Sequence, residues 1–233
     1  MCKMIKYENM KQGIFLSRPN RFIAHVEIDG REEVCHVKNT GRCRELLIPG
    51  TAVWCQHHDD PKRKTAWSLI TVRKGERLVN MDSQVVNRLA YSHVQQGGLG
   101  FVPTLVKAEK TWGDSRFDLY YEAGDRKGFV EVKGVTLEDN AVARFPDAPT
   151  QRGRKHLLEL QKAMEQGYEA WVLFVIQMPD MAYFEPNRPR DPDFADALIQ
   201  AAQNGVHVKA VECEVWEDGL SITKEVEVRL SRQ

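Results

Sequence analysis

The 233-residue chain reads as a two-part α/β protein. A small OB-like β-barrel is expected over residues 1–80, followed by an α/β domain with a mixed sheet over residues 81–233. Three observations predict this. Up to about Val79 the pattern is one of short strands separated by turn residues. From Asn80 onward, strand-like and helix-like segments alternate. Charge divides at the same place: residues 1–80 carry 15 Lys/Arg against 9 Asp/Glu, and the remainder 18 against 24. A basic part thus precedes an acidic one, and the basic part is the candidate for meeting phosphates.

In the first part, Phe15–Arg18 leads to Pro19-Asn20, and Arg21–Ile28 ends at Asp29-Gly30. That pair before Glu33–Val37 is a hairpin signature. Further strands are expected at Ala52–His57 and Ala66–Val72. In the second part, Asp82 or Ser83 can cap a helix running to about His93, with Val85, Val86, Leu89 and Ala90 as its apolar stripe. An extended stretch near Thr104–Thr111 precedes strands at Arg116–Glu122 and Phe129–Gly134, joined by a turn at Gly124–Gly128. A helix at about Arg152–Gln166 is followed by the apolar run Ala170–Gln177, which has the look of a central strand buried on both faces. Asp193–Asn204 reads as a helix, Val206–Val211 as a strand, and Cys213–Val228 as a last hairpin about Asp218-Gly219.

Composition is that of a globular protein, 42% hydrophobic and 28% charged. No run approaches the ~20 apolar residues of a bilayer-spanning helix, and the N-terminus lacks the apolar stretch of a secretory signal. The cysteines at 2, 35, 43, 55 and 213 are odd in number and form no Cys-x-x-Cys pair. Reduced thiols and a cytoplasmic location are expected, in place of a disulfide framework or a zinc knuckle.

The chemistry-bearing pattern is Phe129-Val130-Glu131-Val132-Lys133 with Asp118 upstream. On a strand, Glu131 and Lys133 share one face while Val130 and Val132 point into the core. If the two strands pair with Tyr120 opposite Glu131 and Asp118 opposite Lys133, all three charged groups share that face. Two carboxylates are hard oxygen ligands for Mg²⁺, and a lysine beside them can orient a water and steady phosphoryl charge. A surface hairpin with ordinary ion pairs is the competing reading.

The helix after Thr150 opens with Arg152, Arg154, Lys155 and His156, against the usual preference for acids at that end. An arriving phosphate would relieve this; pairing with Asp147 or Glu159 would do so equally. Gln177 and Asn87 are candidate supporting groups. On the barrel, Arg18, Arg21, Arg42, Arg44, Lys62, Arg63 and Lys64 alternate with Phe22, Trp54 and Trp67, a mixture suited to backbone contact and base stacking. The turn Asn39-Thr40-Gly41-Arg42 could cradle an anion with its backbone N–H groups.

These residues resemble the bacterial and archaeal sugar fermentation stimulation protein A family. The likeness is carried by Asn39–Arg42 with Glu45–Gly50, by Ser115–Asp118, by Val130–Leu137, by Phe145–Ala148 and by Arg152–Leu157. It implies an OB-fold joined to a PD-(D/E)xK nuclease-like domain, DNA binding, and a link to sugar metabolism. Asp118, Glu131 and Lys133 then occupy the nuclease motif positions, with Asp118 and Glu131 holding Mg²⁺ or Mn²⁺. Two departures stand out. Gly134 replaces a serine found in many members, and residues 84–94 contain no carboxylate, leaving Asn87 or Gln84 only as neutral ligands. The metal is therefore expected to be weakly held. The functions this leaves are a DNA-binding protein with a nuclease centre, a DNA-binding regulator without turnover, and a binder of a phosphorylated small molecule.

Overall fold

The structure, a computed structural model, describes residues 4–39 and 41–230; Cys2 and Thr40 lie outside the described residues. The chain opens with a two-residue strand, β1 (Ile5–Lys6), that joins the second sheet and not the barrel. Next come β2 (Met10–Asn20), β3 (Ile23–Ile28) and β4 (Arg31–Val37). Asp29 and Gly30 between β3 and β4 both have positive φ, 52° and 74°, the conformation that a two-residue hairpin turn demands. β2 pairs with β3 on one side and with β5 (Ala52–His57) on the other. It passes so close to β3 that a Cβ on Gly13 would lie 2.6 Å from the Glu27 carbonyl oxygen; only glycine fits there. β6 (Trp67–Lys74) pairs with β5 and runs parallel to β4 at Cys35–Val37. That parallel contact closes a five-stranded barrel, as the strand pattern predicted. β7 (Arg77–Asn80) extends β6 toward the second unit. Trp54 and Trp67, expected as stacking surfaces, are only 3% and 8% exposed. Trp67 packs in the barrel core, while Trp54, on the face opposite core residues Val53 and Cys55, lies under the Arg73 guanidinium at 5.3 Å. Phe22 alone of the three is exposed, at 45%.

The second unit begins with α1 (Val85–Gln95). Neither Asp82 nor Ser83 is its cap residue. Gln84 holds that position, while Asp82 Oδ1 accepts the Gln84 N–H at 2.9 Å and the Ser83 hydroxyl donates to the Lys38 carbonyl. Then follow β8 (Leu105–Trp112), β9 (Ser115–Ala123), β10 (Arg126–Val135), β11 (Leu137–Asp139), β12 (Val142–Phe145), α2 (Gln151–Glu165), β13 (Glu169–Ile176), β14 (Tyr183–Pro186), α3 (Pro192–Gln203), β15 (His207–Trp216) and β16 (Gly219–Val226). The main sheet has the order β1-β16-β15-β13-β10-β9-β8. β13 sits inside it, parallel to β10 and β15, and nearly all its residues are buried, as its apolar run predicted. α1 lays Val85, Val86 and Leu89 on one face, against Val130, Val132 and Leu173. α2 covers the other with Leu157, Leu160 and Ala163, in a layer continuous with the barrel core.

Two departures from the sequence reading concern the tail and the small sheet. The expected strand and final hairpin are one long strand, β15, with a bulge between Glu212 and Cys213, paired to β16. β11, β12 and β14 form a separate three-stranded sheet that no hydrophobic pattern announced. Cys35, Cys43, Cys55 and Cys213 are buried, and among the described residues they form no disulfide with one another. Among the described residues no helix is long and apolar enough to cross a membrane.

The seam between the units is polar. Gln177, just past β13 and 1% exposed, donates through its side-chain amide to the Asn80 carbonyl, the Asn80 side-chain oxygen and the Asp82 carbonyl, each at 3.0 Å. Asp82 Oδ2 takes the Lys38 ammonium at 2.9 Å and the Tyr7 hydroxyl at 3.3 Å. Gln177 therefore holds the connection between barrel and sheet, and its donor is not offered to water or phosphate.

Candidate metal centre

β9 and β10 form a hairpin in which Phe129 faces Tyr120 and Val130 faces Leu119. This register lies two residues from the expected one and carries Asp118 toward Glu131 instead of Lys133. Pairing stops at Leu119 and Val130, however, and the β8–β9 ladder omits the step between Glu109 and Asp118, where Glu109 has φ +55°. Asp118 thus stands in a gap between strands, and its carboxylate does the pairing. Oδ2 accepts the Val132 N–H at 2.8 Å, and Oδ1 accepts Asn87 Nδ2 from α1 at 2.8 Å.

Glu131 reaches the other way. Its Oε1 accepts from Lys133 Nζ at 2.6 Å and bonds His156 Nδ1 on α2. Its Oε2 is buried and has no hydrogen-bond partner. The three charged groups consequently do not lie on one flat face, as the hairpin expectation had them. They lie about the opening where β9 and β10 part, near enough for the Glu131 and Lys133 charges to act on Asp118. Asp118 holds the N–H of Val132, the residue between Glu131 and Lys133, and touches the α1 layer; Glu131, Lys133 and His156 occupy the α2 layer.

Electrostatics separates the two carboxylates. Burial and then the charge of Glu131 push the Asp118 carboxyl up, against the Val132 N–H, Lys133 and Asn87. For Glu131 burial also acts upward, but the His156 bond and the Lys133 charge outweigh it and leave its acidity strengthened. A raised folded-state value means that Asp118 costs stability as pH climbs out of the ordinary carboxylate range and through that value. Asp118→Asn removes the cost while its oxygen still accepts the Val132 N–H, and a turn of the Asn87 amide lets the Asn87 oxygen accept from the new NH2. The variant is expected to melt higher than the parent at neutral pH in EDTA; if Asp118 is a metal ligand, any rise in melting temperature that Mg²⁺ gives the parent is lost in the variant. An unchanged or lower melting point in EDTA would contradict the assignment.

A buried, unpartnered carboxylate oxygen carries a desolvation cost that a cation relieves. The donors are hard oxygens, which suit Mg²⁺. Among the described residues no three His, Cys, Asp or Glu side chains group as a metal site. Mg²⁺ uses one or two carboxylates with waters and substrate phosphates for the rest, and the unpartnered Glu131 Oε2, with Asp118 near enough to feel its charge, has that donor chemistry.

A family model described as the sugar fermentation stimulation protein RE domain matches residues 84–219, and one described as the SfsA N-terminal OB domain matches residues 16–81. The chain belongs to the sugar fermentation stimulation protein family. A homologue from Ruminiclostridium cellulolyticum is 55% identical over 97% of this chain and all of its own. One from Desulfitobacterium hafniense strain Y51 is 58% identical over 97% of this chain and 99% of its own. The structure of Pyrococcus furiosus SfsA in complex with Ca²⁺ matches with a TM-score of 0.88 and 27% identity, over 98% of this chain and 100% of that one.

In this member of the family the basic residues predicted for phosphate divide into two groups. Several are spent on the fold. Arg18 donates to four main-chain carbonyls, those of Arg21, Asn39, Gly41 and Arg42, at 2.7–2.9 Å. Arg63 donates to the Thr65 carbonyl at 3.3 Å and Ser68 Oγ at 3.0 Å. Arg154 pairs with Asp193 at the start of α3, a partner the local sequence did not suggest; Asp147 and Glu159 bind elsewhere. The anion cradle expected at residues 39–42 is filled by the protein itself: Asp147 Oδ2 accepts the N–H groups of Arg42 at 2.6 Å and Cys43 at 3.2 Å. The remaining group is exposed: Arg21, Arg42, Arg44, Lys62 and Lys64 on the barrel, Arg152 and Lys155 on α2. Among the described residues none of these seven forms an ion pair. His156 is the site residue that the sequence reading passed over as one more basic side chain. Its signal was position: it falls on the buried face of α2 with Leu157 and Leu160, where an unpartnered histidine would be costly.

Proposed function

We propose that this protein binds DNA through its barrel and the start of α2 and carries a divalent-metal-dependent phosphodiesterase centre at Asp118, Glu131 and Lys133. The observation that carries the reading is the buried, unpartnered Glu131 Oε2 beside a second carboxylate. The Ca²⁺ in the Pyrococcus furiosus relative supports a divalent ion in this fold. Asp118 and Glu131 would hold Mg²⁺ or Mn²⁺, which supplies charge neutralisation and an acidified water when bound. Asn87 and the Val132 N–H fix the Asp118 carboxylate, and His156 fixes Glu131 so that its second oxygen stays free. Such outer contacts set ligand orientation. The Lys133 ammonium, held beside Glu131, orients the attacking water and meets phosphoryl charge. Exposed Arg152 and Lys155 at the start of α2 take the neighbouring phosphates. Cytoplasmic DNA is the substrate that this reading assigns.

One observation favours a regulator without turnover: α1 offers Asn87, a neutral ligand, where a third carboxylate would sit, and Lys133 is engaged by Glu131 in an ion pair. The experiment that separates the readings incubates the pure protein with supercoiled, linear and single-stranded DNA in Mg²⁺, Mn²⁺, Ca²⁺ or EDTA, and measures cutting and binding in parallel. Cutting that requires Mg²⁺ or Mn²⁺ and stops in EDTA is the expected result. Salt-sensitive binding with no cutting under any ion assigns the regulator. Absence of salt-sensitive binding defeats both and leaves a small phosphorylated ligand.

A further inference from the structure

The barrel loop after β4 is gripped from two sides. Arg18 gathers its carbonyls, donating to Asn39, Gly41 and Arg42 at 2.7, 2.9 and 2.8 Å. Asp147 gathers its amides, those of Arg42 and Cys43, across 105 residues of sequence in the first case. With these groups spent, what Arg42 and Arg44 present to solvent is their side chains, both exposed. Asp147 also lies in the segment that runs directly into α2, four residues before the helix begins. Arg21, Gly41, Asp147 and Thr150 line a single cleft of about 390 Å³. The carboxylate therefore joins the arginine-bearing loop of one unit to the basic helix start of the other. The half-buried Asp147 carboxylate, bonded to two amides of the loop, anchors the backbone that carries Arg42 and Arg44.

We propose that Asp147 is a positioning residue for DNA: it latches the 41–44 loop against the approach to α2, so that one stretch of phosphate backbone meets the barrel arginines and the helix start together. This rests on the DNA-binding reading above, which names the basic residues but not what aligns them.

The test is fluorescence anisotropy of a short labelled duplex in Ca²⁺, over a series of KCl concentrations. Each phosphate contact contributes about 0.9 to the slope of log affinity against log salt. Replacing Arg42 and Arg44 with alanine should lower the slope by roughly 2. Asp147→Ala is expected to lower it by the same amount, and the three changes combined should lower it no further, because the arginines act only through the latched loop. Asp147→Asn, which keeps an acceptor oxygen, should restore most of the slope. Ca²⁺ affinity, which a general loss of structure would reduce, should not change. Gly41→Ala approaches the latch from the other side: its Cβ would sit 2.8 Å from Asp147 Oδ2 and 2.9 Å from Asn39 Oδ1. It should reproduce the Asp147→Ala slope without touching Asp147, and it decides the matter if Asp147→Ala does not fold. Wild-type slopes in Gly41→Ala and in folded Asp147→Ala overturn the latch while leaving DNA binding intact. A parent protein with no salt-sensitive DNA binding overturns the latch and the proposed function together.

Discussion

Replacing Lys133 with alanine is expected to lower Mg²⁺-dependent DNA cleavage by roughly 10²–10⁴-fold, while affinity for the same DNA in Ca²⁺ stays at the parent value. The size follows from where the ammonium sits. It lies 2.6 Å from Glu131 Oε1, with its side chain 15% exposed, beside the opening between β9 and β10. In the proposed function that is where it meets the attacking water and the phosphoryl oxygens. Arg152, Lys155 and the barrel arginines do not touch it, so the ground-state DNA binding proposed for them should survive its loss. Loss of the cation also leaves Glu131, 3% exposed, with His156 alone on Oε1, and removing one member of a buried pair is destabilising. Lys133→Met keeps the aliphatic stem and separates the lost charge from lost packing. Both variants should be equally inactive. If Lys133→Ala cuts at the parent rate, the centre proposed here is not the catalytic one.

Gln177→Ala is expected to cost about 3 kcal/mol of stability. One buried amide serves three acceptors, two main-chain carbonyls and the Asn80 side chain, each at 3.0 Å. The Asn80 side-chain oxygen keeps the Asp82 N–H at 3.0 Å and the Asp82 carbonyl the Val85 N–H at 3.4 Å, so the loss falls first on the Asn80 carbonyl. A buried acceptor left without a donor costs about 1–3 kcal/mol, and the truncated side chain leaves a void where its amide packed. For a chain of this size that corresponds to a fall in melting temperature of roughly 6–12 °C. The loss falls on the connection between barrel and sheet, because Asn80 and Asp82 form the link from β7 to α1. The variant should therefore also weaken DNA binding in Ca²⁺, although Gln177 bears no charge. Thermal and urea denaturation followed by circular dichroism measure the first effect. A melting point within a degree or two of the parent would show that the seam does not depend on this amide.

Much of the architecture was legible in residue order. The barrel strands follow from alternation of polar and apolar residues with Asp29-Gly30 at a turn. β13 follows from Ala170–Ile176, an apolar run that only a strand buried on both faces accommodates. The closeness of Asp118, Glu131 and Lys133 follows from two short strands and the tight turn between them. Elements of three or four residues, such as β7, β11, β12 and β14, were not legible. They are too short for a period to show, and neighbours from distant parts of the chain create them.

The sequence by itself determined which residues are charged, which strands carry them, and that a hairpin brings Asp118 near Glu131. Only the tertiary structure decided the pairing register, because a slip of two residues leaves every side chain on its own face and so leaves no trace in the hydrophobic pattern. It likewise decided that Asp118 fills a gap between strands, that His156 holds Glu131, and that Arg18 and Asp147 serve the fold in place of a ligand. Each of those outcomes depends on a partner 14 to 105 positions away. A charge takes its role from whichever group packing brings within hydrogen-bond reach, and residue order does not encode that distance locally.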